Sequence, residues 1–496
     1  MSVDLSHAPR TGATRGGLDH TSPERLTATV ELAAAAYPVT SAAAPAQRRR
    51  WLHALADALE SEAAELVRIA DEETALGEER LRGELAKTAA NARYYGAVGE
   101  AGHWLRARVQ RLPGPPALDL RRAALPIGVV AVFGASNFPF QFGTVGHDTC
   151  SALAVGCPVV VKGHPAHPRL ARALFDTVSA ALADAGAPAG TFGMVVGFAA
   201  GLSLVRAPQV SAVAFTGSQA GGMALVEAAR QRPYPIPVFA EMGTINPVVV
   251  TPAGAGRAAD VAAGFVDSFT LGCGQFCTKP GLLLVPRGSG LAAAIARRVA
   301  PRTGGWLLTA AIADAFQTGV RDLLAAGAQP LAEGQPPDQG YVARPVVLSV
   351  PPASLQAGSR LLAECFGPVA LVCEYSEVEE ACAVLSRLQP SLAGSVFGGG
   401  DQDPHVPALV AQLSRQTGRV IVDGWPTGVA CVDAMHHGGP WPATSRPDAT
   451  SVGAEALARF TRPVSFQNVP DAALPAPLRE ANPWGLTGRD DERTAR

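Results

Sequence analysis

The chain has 496 residues, of which 48% are hydrophobic and 17% charged, with a formal net charge of -2. That length is too great for one core and suits two or three domains, while the near balance of charge excludes both a nucleic-acid footprint and a solvating acidic chain. Apolar runs such as 127–133 and 158–161 fall far short of the roughly 20 residues that span a bilayer, so no membrane association is expected. The eight cysteines have no disulfide-like spacing, and the N-terminus lacks an apolar leader core, which reads as a reducing cytoplasm. Small molecules and further copies of the chain are the expected partners.

Residues 1–22 have no apolar periodicity and read as a mobile arm. From Ser22 the pattern turns helical, with Ala, Leu and charged residues recurring at three and four through Leu59 and again over 63–95; Pro38 and Pro45 are expected to separate the first helix from the second. Arg48, Arg49 and Arg50 read as a solvated helix face. Residues 113–126, opened by three prolines, look like an excursion from the domain. The run 127–133 is continuously apolar, as in a parallel strand buried on both faces, and 156–161 follows after a helix as its partner, giving an α/β class. Asn137 lies just beyond the first strand's carboxyl end, either a ligand group or a turn former beside Pro139. Lys162 closes the second strand.

Two more strand-like runs, 192–196 and 213–215, precede Gly217-Ser218 and a helix. A helix N-terminus after a glycine turn suits a pyrophosphate, but the turn is not G-x-G-x-x-G, so these rules leave a nucleotide site open. After a proline-rich hinge at 233–237 a strand delivers Glu241, a general base or an ion-pair partner. A second α/β segment runs over 244–441, with a helix at 253–269, strands near 281–286 and 346–350, a helix at 377–388, and a polar surface loop at 329–339. Residues 488–496 form a charged tail.

Cys277 sits in a glycine-bearing loop after the helix at 253–269. Gly272 and Gly274 give the backbone room for close approach, as a nucleophile needs, although a lone cysteine is also an ordinary small apolar residue. Cys273 reads as packing filler, because no second Cys/His pair of zinc-ligand spacing accompanies it. The adjacent His436 and His437, with Asp433, point apart and lack a third ligand, so no metal site is expected.

Five segments in one order carry a resemblance: Phe133-Gly-Ala-Ser-Asn-Phe-Pro-Phe140, Val161-Lys-Gly-His-Pro165, Phe215-Thr-Gly-Ser218, Phe239-Ala-Glu-Met-Gly-Thr-Ile-Asn-Pro247 and Glu364-Cys-Phe-Gly-Pro368. Together with Cys277 they resemble the aldehyde dehydrogenase superfamily. Gly274-Gln-Phe-Cys-Thr-Lys-Pro-Gly281, Gly424-Trp-Pro-Thr-Gly-Val429 and His437-Gly-Gly-Pro-Trp-Pro-Ala-Thr-Ser445 are similar to its alpha-ketoglutaric semialdehyde branch, near which lie NADP-dependent fatty aldehyde dehydrogenases. The resemblance implies two open α/β domains: a variant Rossmann cofactor domain at 23–112 and 127–243, and a catalytic domain at 244–441. It also implies an oligomerisation arm at 113–126 and 442–470, a tail at 471–496, and a homodimer or homotetramer.

The implied reaction is NAD(P)-dependent oxidation of an aldehyde to its acid through a thioester on Cys277, with Asn137 as oxyanion donor and Glu241 activating the water. Lys162, His164, Gly217, Ser218, Glu364 and Phe366 are the implied cofactor residues. Relatives that prefer NAD carry a glutamate where this chain has Pro165, so NADP is slightly favoured over NAD. For the substrate, expected to be alpha-ketoglutaric semialdehyde, Ser445 and Arg446 form a candidate anchor, and Gln141, Phe142 and His147 are candidate tunnel residues. A broad-specificity or fatty aldehyde dehydrogenase is the alternative, and a catalytically silent cofactor-binding oligomer the reading from another class. The presence of Asn137, Glu241 and Cys277 together argues for activity, and Glu241 argues against a CoA-acylating enzyme.

Overall fold

The computed structural model describes residues 2–486 and the backbone of 490–492. The chain opens with an antiparallel hairpin, β1 (Val3–Ala8) and β2 (Ala13–Asp19). This corrects the expected mobile arm. The hairpin is tied down by contacts its composition does not advertise: Arg10 makes a bidentate pair with Asp71, and the Tyr341 amide donates to the Pro9 carbonyl.

Four helices follow, α1 (Pro23–Ala42), α2 (Pro45–Ser61), α3 (Ala63–Thr74) and α4 (Glu78–Ala101). Ser22 caps α1 by accepting from the Arg25 amide. Pro38 lies inside α1 rather than ending it; the break falls at Ala43–Ala44, before Pro45 at the first position of α2, where proline's missing N–H costs nothing. Arg48 also departs from expectation. It is 1% exposed, donates to the Ala43 carbonyl and stacks against Trp104 and Trp484, and burial lowers its pKa to about 10. Helical periodicity cannot distinguish such an aromatic slot from solvent.

Next come β3 (Arg108–Leu112) and β4 (Leu118–Pro126), an antiparallel ribbon. The first α/β unit then alternates β5 (Val129–Phe133), α5 (His147–Val155), β6 (Val159–Lys162), α6 (Pro168–Asp184), β7 (Phe192–Val195), α7 (Phe198–Arg206), β8 (Val210–Gly217), α8 (Gln219–Arg230) and β9 (Val238–Met242). Its five strands are all parallel, in the order β7-β6-β5-β8-β9. The order reverses between β5 and β8, so a crevice opens beyond their carboxyl ends, where Asn137 and Gly217 lie.

The second unit contains β10 (Asn246–Val250), α9 (Ala258–Thr270), β11 (Pro280–Pro286), α10 (Leu291–Val299), β12 (Gly305–Trp306), α11 (Ala310–Ala325), β13 (Gln329–Glu333), β14 (Val342–Ala343), β15 (Val346–Ser349), β16 (Val369–Tyr375), α12 (Val378–Leu385), β17 (Ser391–Phe397), α13 (Val406–Leu413) and β18 (Thr417–Val422). Its seven-stranded sheet runs β13-β15-β16-β11-β10-β17-β18, parallel except for β13, and β12 pairs with β14 alone. The polar stretch expected to be a loop at 329–339 therefore begins as an antiparallel edge strand, a position that tolerates its proline and polar side chains.

Finally β19 (Thr461–Gln467) pairs antiparallel with β4, and β20 (Asp490–Glu492) lies parallel to β3, making a four-stranded arm. The arm differs from its expected bounds. It includes 108–112, whereas residues 442–460 do not join it: 443–445 run along the edge of β9, with the Met242 amide donating to Ala443 and the Ser445 amide to Ala240. The expected tail from 471 is also part of the fold, with Leu474, Leu478 and Leu486 buried in the same core as Trp51 and Phe460. Of the charged stretch 488–496, residues 488–489 and 493–496 lie outside the described residues.

Candidate active site

Three loops converge at the cleft between the two α/β units, and each is held by its own polar contacts. The Cys277 loop leaves α9 through Gly272 and Cys273, both in the left-handed region with φ of 55° and 58°. Gln275 locks it: its amide nitrogen donates to Gly272 and Trp306, and its carbonyl oxygen accepts from Leu308. Asn246, at the start of β10, donates to the Cys277 carbonyl at 2.8 Å and to that of Lys279 at 3.0 Å. Among the described residues the Cys277 main-chain N–H has no acceptor, so it is available to an oxyanion. Cys273 is turned away against Gly305, and burial raises its thiol to about 12.

Asn137 comes from the loop after β5 and is 8% exposed. One of its amide hydrogens is given to the Gln275 carbonyl at 2.8 Å, which orients the group at the Cys277 loop and leaves the other hydrogen free. Glu241 lies on β9, 5% exposed, and accepts a short hydrogen bond from Ser451.

His437 joins these parts. Its Nε2 is 3.9 Å from Cys277 Sγ and 2.9 Å from Glu241 Oε1, and the ring is 2% exposed. The carboxylate is thus an ion-pair partner of the same ring nitrogen that meets the sulfur. Burial opposes protonation of His437, but the Glu241 charge and the adjacent thiol outweigh it and raise the imidazole to about 10. Burial likewise opposes ionisation of Glu241, yet His437 and Ser451 bring its pKa below the usual carboxylate range. The ligand atoms of Cys277, His437 and Glu241 lie within 4.8 Å of one another, a donor set that could hold a metal ion, but an imidazolium has no lone pair to offer one. In the sequence His437 stands beside His436 and near Asp433, which gives no sign of this role; in the fold Asp433 accepts from Tyr94.

The remaining expected residues fall into groups. Gly217 and Ser218 form the turn from β8, with Ser218 capping α8 through Gly221. Beside them the Gly243 amide donates to Gly217, and Glu364 presses on Gly243 so closely that a Cβ there would lie 2.3 Å from its carboxylate. Burial raises the Glu364 carboxyl to about 7. Lys279, buried, donates to the carbonyls of Cys365, Gly367 and Val369 and so fixes the loop bearing Glu364 and Phe366. Lys162 lies at the end of β6 and has no hydrogen-bond acceptor among the described residues; its acidic neighbour Asp4 is already paired with His20. His164 stacks on His167, and burial together with that neighbour pulls it well below its usual range, so it is neutral. A free ammonium, a helix N-terminus and a buried carboxyl along one crevice suit the ribose and pyrophosphate of a dinucleotide.

The substrate residues divide. Gln141 is partly buried, its side-chain amide without a partner among the described residues, and the Phe142 ring stands 6.1 Å from that of His437. His147 lies behind Phe142, bonded to Tyr95, and burial first, then His437, lowers it to about 3, so it supports the wall rather than meeting a ligand. Ser445 is committed to the backbone of β9, whereas Arg446 lines a pocket with Glu241 and His437 and makes an exposed bidentate pair with Asp448.

A thiol, an imidazole and a carboxylate meet at the cleft of two open α/β units, and residues 5–441 match the aldehyde dehydrogenase family. The chain belongs to that family and is an NAD(P)-dependent enzyme oxidising an aldehyde to its acid. It is 42% identical over 469 residues to alpha-ketoglutaric semialdehyde dehydrogenase 2 of Azospirillum brasilense, covering 92% of this chain and 89% of that one. It is 38% identical over 452 residues to alpha-ketoglutaric semialdehyde dehydrogenase of Acinetobacter baylyi, covering 89% and 86%. In fold it is similar to the crystal structure of PnpE in complex with nicotinamide adenine dinucleotide, with a TM-score of 0.81 at 22% identity over 94% of each chain.

Proposed function

We propose that the aldehyde is alpha-ketoglutaric semialdehyde (2,5-dioxopentanoate), oxidised to 2-oxoglutarate, with NADP accepted slightly in preference to NAD. The 42% identity to a relative of that name over nearly the whole chain carries the substrate assignment. NADP is supported by the free ammonium of Lys162 and by Pro165, an exposed residue that offers no carboxylate against a 2′-phosphate. His164, held neutral, adds no charge there. Eight free cysteines suit a reducing cytoplasm, and the exposed alternate positions of β19 suit pairing of the arm with another copy in a homodimer or homotetramer.

The His437 imidazolium stands against Cys277 Sγ, and once the thiol has given its proton to solvent the thiolate adds to the aldehyde carbon. The oxygen that becomes negative is received by the Cys277 N–H and the free Asn137 amide hydrogen, each donor typically worth roughly 3 kcal/mol. Lys162, Ser218, Glu364 and Phe366 would hold the dinucleotide, which when bound supplies the acceptor for hydride lost from the adduct. Glu241, ionised, then takes a proton from the water that attacks the thioester, releasing the acid and restoring the thiol. Rates with NAD and NADP across alpha-ketoglutaric semialdehyde, succinic semialdehyde, glutaraldehyde and long-chain aldehydes test this reading. It is abandoned if another of these has the higher kcat/KM.

A further inference from the structure

Arg80, on the first turn of α4, lies against the two residues that flank the reacting groups in sequence. Its guanidinium carbon is 5.0 Å from the ring centroid of Phe138, which follows Asn137, and 5.0 Å from that of Phe276, which precedes Cys277. The two rings meet edge to face at 5.1 Å. Nη2 donates to the Asn137 carbonyl at 2.7 Å, whereas Nη1 is buried without an acceptor. Among the described residues no carboxylate is within ion-pair distance of Arg80, unlike Arg446 with Asp448 or Arg459 with Asp148. Glu84, one turn along α4, is the acidic neighbour, but its Oε1 accepts from the Phe140 and Gln141 amides.

Leaving a buried guanidinium N–H unpaired carries the full desolvation penalty of that group. The two aromatic faces offset part of it, since each attracts a cation, but they offer nothing to Nη1 in the plane of the guanidinium. The loop is built around this group: a Cβ on Gly272 would come within 2.4 Å of Nη1. Consecutive Cα atoms are about 3.8 Å apart, and a five-carbon chain spans about 5 Å between its terminal carbons, so a cation one residue from both Cys277 and Asn137 is at the right range for the far end of such a substrate.

We propose that Arg80 is the specificity-determining cation that receives the carboxylate of the semialdehyde, its planar fork matching the two oxygens while the aromatic pair flanks the carbon chain. The assignment rests on the reading of the substrate as a semialdehyde that carries a carboxylate. Having no ion pair to break, the group can turn Nη1 onto the incoming carboxylate.

The test compares kcat/KM for 2,5-dioxopentanoate with that for pentanal, an uncharged aldehyde of equal length, in wild type, Arg80→Lys and Arg80→Met. Wild type is expected to favour the charged aldehyde. Arg80→Met is expected to lower that ratio about ten- to hundredfold, chiefly through KM, with Arg80→Lys keeping part of the preference. Competitive inhibition by glutarate should weaken in parallel. If wild type favours 2,5-dioxopentanoate and Arg80→Met lowers both activities together, leaving the ratio unchanged, the anchor is elsewhere and Arg80 only supports the loop. A wild-type ratio near one overturns the substrate reading and the anchor with it. Should Arg80→Met fail to fold, Gly272→Ala displaces Nη1 from the opposite side; a ratio unchanged in that variant overturns the assignment equally.

Discussion

Replacing His437 by glutamine removes a side chain that touches both Cys277 and Glu241. The rise of His437 from 6.5 to about 10 corresponds, at about 1.4 kcal/mol per tenfold in acidity, to about 5 kcal/mol in favour of the imidazolium. Its neighbours are Oε1 at 2.9 Å and Sγ at 3.9 Å. Since Coulomb energy falls as inverse distance, about two-fifths of that preference, roughly 2 kcal/mol, is available to a thiolate at the sulfur. His437→Gln is therefore expected to slow alkylation of Cys277 by iodoacetamide at pH 7 about 10- to 30-fold, followed by peptide mass mapping, and to slow the first turnover similarly. A stability signature accompanies it. The folded pKa lies above the unfolded one, so the contribution is complete below about pH 6.5 and lost as pH rises through about 10. Between those values the wild type should lose up to about 5 kcal/mol relative to the variant, read as converging denaturation midpoints. Equal alkylation rates, together with parallel pH profiles of stability, would refute the coupling of thiol, imidazole and carboxylate.

Cys277→Ala should abolish dehydrogenase activity while Cys273→Ala keeps a substantial fraction, because Cys273 is buried with a thiol raised to about 12; cofactor reduction near the normal rate in Cys277→Ala would end the thioester mechanism. Glu241→Gln should still release one equivalent of reduced cofactor per site and then stall with an acyl group on Cys277, detected by rapid quench and mass measurement. Its burst should be slower than wild type because His437 loses its carboxylate at 2.9 Å; an unchanged steady-state rate would remove Glu241 from deacylation. Pro165→Glu should weaken NADP more than NAD, since the new carboxylate faces the 2′-phosphate at short range, as checked by the two dissociation constants; equal changes would displace the ribose from Lys162.

Features decided by neighbouring residues were legible in the sequence. Short continuous apolar runs bounded by turn residues fit strands buried on both faces, so β5, β6 and β8 and the turn at Gly217-Ser218 followed from local pattern. The glycine-bearing loop around Cys277 stood out for the same reason, and the order of five short segments supplied the family. Proline was a less dependable guide: Pro38 sits within α1, which runs on to Ala42.

What the sequence could not decide depends on which distant segments meet. His437 lies 160 positions from Cys277 and Ser451 lies 210 from Glu241, so nothing local marks either as part of the centre. The same holds for Arg48 between two tryptophans, for Arg80 between Phe138 and Phe276, and for the hairpin at the N-terminus, whose anchor Asp71 is 61 positions from Arg10. Arg446 reads as a free cation in the sequence, whereas in the fold it is paired with Asp448. Residue type and periodicity set which backbone a segment adopts, because those preferences act over a few residues. Burial, desolvation and the proximity of opposite charges set what a side chain can do, and these exist only once the tertiary fold has brought remote groups together.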